Sequence, residues 1–163
     1  MHTYEDIFRG FNAHKISYIV IGGLAVNFHG IPRMTYDIDI LIDFSKQNIT
    51  RFEKLMREWG FQPKMPVKII DIADENKRAQ WIARKHMKAF NLVNPAWTLS
   101  ELDVLIDSPI SFDKAKRGSR MITMKGIAIP VLGVKDLIAL KRVSGRLQDQ
   151  DDIENLRKVR YEK

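Results

Sequence analysis

Three carboxylates and a glycine pair carry the chemistry open to this sequence. Asp37 and Asp39 stand two residues apart in the run YDIDILID. On a β-strand that spacing sends both side chains from one face. Adjacent carboxylates repel and shift each other's pKa, so a pair in a core-like strand needs compensation. A divalent cation supplies it: Mg²⁺ takes hard oxygen ligands and is usually held by one or two carboxylates plus substrate phosphates. Asp103, in the second β-rich run ELDVLID, joins the same site if the two strands pair. Three acids on neighbouring strands can hold two ions, which clamp the attacking and leaving oxygens of a phosphoryl displacement. Asp103 could also take the proton from an incoming hydroxyl.

Gly22-Gly23 closes the apolar run SYIVIG, and thirteen residues separate it from Asp37. Glycines where a strand meets a helix let backbone N–H groups approach an anion, and the helix N-terminus adds partial positive charge. Both are candidates for cradling nucleotide phosphates. Each feature also has a plain structural reading: a tight turn for Gly-Gly, a solvated strand edge for Asp-x-Asp. Their order and spacing together are far more specific than either alone.

The elements that must position these groups follow from hydrophobic periodicity. Residues 3–14 put Tyr4, Ile7, Phe8 and Phe11 at helical spacing. A buried strand (SYIVIG), a short helix stopped by Gly30, and a Pro32 turn lead into the acidic strand. That strand alternates Asp37, Asp39 and Leu41 against Ile38, Ile40 and Ile42. Residues 46–59 form a second amphipathic helix with Gly60 as its cap. VKIIDIADENKRAQWIARKH, residues 67–86, predicts one or two helices, MKAFNLV a strand, and ELDVLID a strand with Glu101, Asp103, Leu105 and Asp107 on one side. SFDKAKRGS is a short helix, and Lys125-Gly126 marks a hairpin between two short strands. Two helices close the chain, one ended by Gly145, the other charged. Mixed helices and strands without repeat or linker predict one α/β (α+β) domain.

Composition excludes several classes. The 163 residues suit a single core, and the absence of cysteine removes disulfide frameworks, thiolate metal sites and cysteine nucleophiles. No apolar run approaches a membrane span, and the N-terminus lacks the apolar region of a signal peptide. A cytoplasmic protein with no membrane association is expected. The net charge of +7 suits polyanions such as nucleotides or RNA, although many soluble domains are mildly basic.

The order Gly22-Gly23, Asp37-Ile38-Asp39, Leu102-Asp103-Val104 resembles the DNA polymerase β-type nucleotidyltransferase superfamily. The lead-in RMTYDIDI resembles the Arg-x-Thr-x-Asp-h-Asp form of the branch related to AbiEii-type toxins; lincosamide and aminoglycoside nucleotidyltransferases carry a similar lead-in. DLIALKRVSGRLQDQDDIENL resembles the Lys-x4-Arg-x2-Asp-x2-Asp element of that branch, at Lys141, Arg146, Asp149 and Asp152. The resemblance runs from Tyr18 to Leu156. It implies a mixed, twisted sheet flanked by helices, with the active site on one exposed sheet face. It also implies the reaction: an acceptor hydroxyl attacks the α-phosphorus of an NTP such as ATP, NMP is transferred, and pyrophosphate leaves. Asp37, Asp39 and Asp103 would be catalytic and would hold Mg²⁺ or Mn²⁺, with two ions expected. Gly22, Gly23, Arg33, Lys141 and Arg146 would bind the nucleotide. Thr35, Asp149 and Asp152 would support the site.

The gap between glycines and acids is at the long end of the family's range. The expected domain spans residues 1–163, without the separate C-terminal helical domain that larger members use to bind acceptor or base. The acceptor therefore stays open among tRNA or other RNA, a protein and a small molecule, and a cognate antitoxin or a second copy of the chain could complete the site. The alternatives are an antibiotic nucleotidyltransferase and a catalytically idle nucleotide- or partner-binding module. Asp43 and Asp107 lie four residues beyond Asp39 and Asp103, about 13 Å along a strand, which gives them structural roles. His29 reads as a structural helix histidine, and Trp59, Trp81 and Trp97 as packing residues.

Overall fold

The computed structural model describes residues 3–97 and 101–161. Its elements are α1 (Tyr4–Ala13), β1 (Tyr18–Ile21), α2 (Gly22–Phe28), β2 (Ile38–Ile42), α3 (Lys46–Trp59), β3 (Gln62–Pro63), a 3-10 turn (Ile69–Ala73), α4 (Glu75–Lys85), β4 (Ala89–Val93), β5 (Glu101–Leu105), α5 (Phe112–Gly118), β6 (Arg120–Met124), β7 (Ile127–Val131), α6 (Val134–Ser144) and α7 (Leu147–Leu156). Local chemistry accounts for the boundaries. The Thr3 N–H donates to Asp6 at 2.9 Å across the first turn of α1. Asp74 caps α4 by accepting from the N–H groups of Asn76 and Lys77. Left-handed Gly60 and Gly145 end α3 and α6. Positive φ at both Lys125 and Gly126 makes the two-residue turn between β6 and β7.

The strands form one mixed sheet in the order β3-β4-β5-β2-β1-β7-β6. β2 runs antiparallel to β1 and parallel to β5; β4 runs antiparallel to β5. Alternation then sorts the side chains. Tyr18 pairs with Ile42, Val20 with Ile40, Ile40 with Val104 and Leu102 with Leu92, so these residues share one face. That face carries the core. Phe8, Phe11 and Phe52 are fully buried, and Phe11 meets Tyr18 at 4.9 Å and Phe52 at 5.9 Å between ring centroids. Trp81 of α4 packs on Phe90 at 5.6 Å. Helices α1, α3 and α4 therefore cover this face, and such rings contribute the largest buried areas of any side chains. The residues between them in sequence, Asp39, Asn91, Glu101 and Asp103, point to the opposite face.

The expected order of elements holds except for β3, a two-residue strand that the sequence did not announce, and two positions are refined. Helix α2 begins at Gly22 itself, so the glycine pair is its first turn. Asp37 lies just ahead of β2 rather than inside it. No helix among the described residues is long and apolar enough to cross a membrane.

Candidate active site

Strand register builds the site. Asp39 of β2 pairs with Asp103 of β5, and Ile38 with Leu102. Asp37 and Glu101 stand two residues further along the same face, so four carboxylates form a two-by-two grid across the two parallel strands. Carboxylate oxygens of Asp37, Glu101 and Asp103 all lie within 4.8 Å of one another. Glu101 is thus a further acid beside the expected three, and Asp39 remains their neighbour, paired with Asp103 in the register and under the charges of Asp103 and Asp37. Asn91 of β4, opposite Asp103 in the register, donates from Nδ2 to Asp103 Oδ1 at 2.7 Å. Lys64 Nζ donates to Glu101 Oε1 at 2.7 Å.

Crowding sets the electrostatics. Burial pushes the Asp39 carboxyl up to about 7, and the charges of Asp103 and Asp37 add to the shift against Arg146 and Lys141. Burial likewise raises Asp103, opposed by the Asn91 hydrogen bond. Asp37 is raised by burial and by Glu101, with Lys64 pulling the other way.

The glycine pair meets the acids directly. Gly22 has φ +67°, and a Cβ built there would sit 2.3 Å from Asp39 Oδ2. Only glycine allows both this backbone and this approach. A Cβ on Gly23 would lie 3.0 Å from the Arg33 guanidinium carbon and 3.1 Å from Thr35 Oγ1. Thr35 donates to the Asp37 carbonyl at 3.3 Å, bracing the approach to β2.

The C-terminal motif folds into a charge network on α6 and α7. Lys141 is buried, 4% exposed, and its ammonium donates to Asp152 at 2.8 Å and Asp149 at 3.4 Å. Arg33 pairs with the same Asp152 carboxylate. Arg146, the residue that caps α7, donates through Nε to Asp149 at 3.0 Å. Burial alone would raise Asp149, but hydrogen bonds from Arg146 and Ser144 and the charge of Lys141 hold it down at about 2. Three cations thus share two carboxylates, which leaves net positive charge beside Asp39. A cleft of about 220 Å³ joins these parts, lined by Gly22, Asp39, Lys141, Arg146, Leu140 and Asp107. A second, of about 300 Å³, opens on Asp37 between Tyr4, Leu24 and Tyr36.

The structure thus brings every candidate residue into one region. Glu101, Asn91 and Lys64 are further members. The sequence held a signal for Glu101: Glu-Leu-Asp repeats the acid–apolar–acid pattern of Asp37–Asp39 on the face already given to Asp103. Asn91 and Lys64 depend on strand pairing and had no local signal. Asp43 accepts from the Ser45 N–H at 3.1 Å, ahead of α3, a structural role as expected. His29 is buried, with its ring nitrogens on the Leu132 carbonyl at 2.7 Å and the Tyr161 hydroxyl. Arg78 lies over Phe44 at 4.0 Å, and Trp81 is in the core.

A mixed sheet with acids on adjacent strands and a glycine-led helix beside them is the nucleotidyltransferase architecture, and solved structures of that class share the fold. The lincosamide antibiotic adenylyltransferase LnuA, lincomycin-bound, aligns with TM-score 0.63 at 18% identity, over 96% of each chain. ANT(2")-Ia in complex with adenylyl-2"-tobramycin gives 0.61 at 11%, over 94% of this chain and 84% of that one. An antigenic nucleotidyltransferase-like protein from Paracoccidioides brasiliensis gives 0.57 at 19%, over 92% and 71%. Residues 6–147 match the family described as "Nucleotidyl transferase AbiEii toxin, Type IV TA system", and the chain belongs to that family. It is a nucleotidyltransferase of the AbiEii family. No curated protein sequence matches the chain.

Proposed function

We propose that this protein transfers NMP from an NTP to an acceptor hydroxyl, releasing pyrophosphate, as the toxin of a toxin–antitoxin pair. The observation that carries this reading is the carboxylate grid set against Gly22 and the Lys141–Arg146 cations. The grid fits a divalent cation by its donor set: three hard carboxylate oxygens already converge to within 4.8 Å. Asp37, Glu101 and Asp103 would hold one Mg²⁺ or Mn²⁺, with Asp39 available to a second. Bound there, such ions neutralise charge on the reacting phosphate and lower the pKa of the attacking hydroxyl.

The chain's own groups supply the rest. The N–H groups of the first turn of α2 receive phosphate oxygens, and Gly22 lets them come close. Arg146 and Lys141 offset the charge that grows on the leaving pyrophosphate as the P–O bond to it breaks. Asp149 and Asp152 hold these cations and Arg33 in place. As the acceptor oxygen bonds to the α-phosphorus, its proton passes to Asp103. Asn91 fixes the orientation of that carboxylate by donating to its Oδ1. In-line displacement puts acceptor and pyrophosphate on opposite sides of phosphorus, so the acceptor enters from the Asp37 side.

RNA is the acceptor to test first, with protein and small hydroxylated antibiotics as the other arms; the setting is cytoplasmic, and the proposed partner is a cognate antitoxin. The protein is incubated with α-labelled NTPs, Mg²⁺ and, in turn, total RNA, lysate protein, an aminoglycoside and a lincosamide. Label should move to one acceptor and be lost in Asp37→Asn. Absence of both NTP binding and transfer to every acceptor would overturn the reading. Toxicity on expression that disappears with the same substitution supports the toxin setting.

A further inference from the structure

Lys64 has a place in the site that the proposed reaction leaves unused. Its position is built into the sheet. β3 pairs with β4 through Gln62–Val93 and Pro63–Leu92, and the Lys64 N–H continues the ladder by donating to the Asn91 carbonyl at 3.0 Å. Lys64, one residue past β3, therefore forms one row with Asn91 of β4, Asp103 of β5 and Asp39 of β2, on the face that carries the acids. From that row the ammonium reaches Glu101 Oε1 at 2.7 Å, and the charges of Asp103 and Asp37 also act on it. A cation of the chain itself thus sits on the oxygen cluster that fits a divalent ion.

We propose that Lys64 is a built-in competitor for that ion: it neutralises Glu101 when the Asp37–Glu101–Asp103 group is metal-free and is displaced when the ion binds. This rests on the metal reading above. The exchange is physically easy in one direction. The Lys64 side chain is 44% exposed, and an exposed ion pair of this kind adds little to stability, so its release costs little. An ammonium is monovalent and mobile, whereas a divalent ion engages all three carboxylates. The competition lowers metal affinity in the bare protein. The ion is then held well only when a triphosphate brings further oxygen ligands, which ties metal occupancy to substrate.

The test is direct Mn²⁺ binding without nucleotide, followed by electron paramagnetic resonance, on the wild type, Lys64→Met, Lys64→Gln, Lys64→Arg and Asp103→Asn. Removing the ammonium should tighten Mn²⁺ by about three- to fivefold, the worth of an exposed ion pair that the ion no longer has to displace. Both neutral variants should show it, and Lys64→Arg should stay near wild type. In an Glu101→Gln background the same Lys64→Met change should alter affinity less than about twofold, because the lysine has lost its anchor. Asp103→Asn should weaken binding and so locate the ion. Equal Mn²⁺ affinity in wild type and both neutral variants overturns this inference alone. Failure of every protein to bind Mn²⁺ overturns it together with the metal reading.

Discussion

Replacing Asp39 by asparagine should stabilise the metal-free protein while abolishing transfer. The magnitude follows from the Asp39 environment. Its carboxyl titrates at about 7 in the fold, against 3.8 for an unperturbed aspartate. Above pH 7 the folded protein carries a half-buried, crowded charge that the unfolded chain solvates. Three pKa units correspond to about 4 kcal/mol at about 1.4 kcal/mol per unit. Asp37 and Asp103 share part of the same repulsion, so the measurable gain is about 2–4 kcal/mol. The sign is opposite to that of a salt-bridged aspartate. Between pH 4 and 7 the folded state binds more protons than the unfolded state, so this group's effect is to lower stability as pH rises through that window.

The assay is thermal unfolding of wild type and Asp39→Asn in EDTA from pH 4.5 to 8.5. For a chain of this size the gain corresponds to a Tm rise of about 5–15 °C at pH 8, and the difference should close towards pH 4.5. Saturating Mg²⁺ should narrow the gap at pH 8 by stabilising the wild type through ligand linkage. A variant with the wild-type Tm at pH 8 in EDTA, or a gap that does not change with pH, would refute the argument.

Gly22→Ala combines a left-handed backbone with a Cβ 2.3 Å from Asp39 Oδ2; it should cost about 1–2 kcal/mol for the backbone and remove transfer, whereas Gly23→Ala, with no positive φ and its nearest contact at 3.0 Å, should be milder in a urea melt. Asp152→Asn leaves buried Lys141 and Arg33 without their shared carboxylate and should destabilise by about 3–5 kcal/mol, read from the same melts. Arg146→Ala removes a side chain that is 75% exposed; stability should change by less than about 1 kcal/mol, while the KM for NTP rises at least several-fold.

Local chemistry was the part of this protein that its sequence disclosed. Gly60 and Gly145 as helix ends, the Lys125-Gly126 turn, and the shared face of Asp37 and Asp39 each depend on a few neighbouring residues. Pairing was not disclosed. Nothing in ELDVLID states that it lies beside β2 rather than at an edge, and without that register Glu101 is only another strand acid. Asn91 and Lys64 enter the site through two further pairings, each between segments distant in sequence. Lys141 shows a different gap. Its motif assigned it to the nucleotide, and the structure adds that Asp149 and Asp152 of the next helix fold back and bury it. The pattern could not show that its charge is already shared.

Register also explains why so unfavourable a cluster is tolerated. Ile38, Ile40, Leu102 and Val104 are all fully buried and alternate with the four acids along the same two strands. A slip of one residue in either strand would turn its carboxylates into the aromatic core and its aliphatic side chains to the open face. The cost of that exchange far exceeds the repulsion within the grid, since an unpaired buried carboxylate is among the most expensive groups a fold can hold. The core therefore holds the acids together against their own repulsion. A site assembled this way is ready for a cation before one arrives, and the repulsion it stores is relieved when the ion binds.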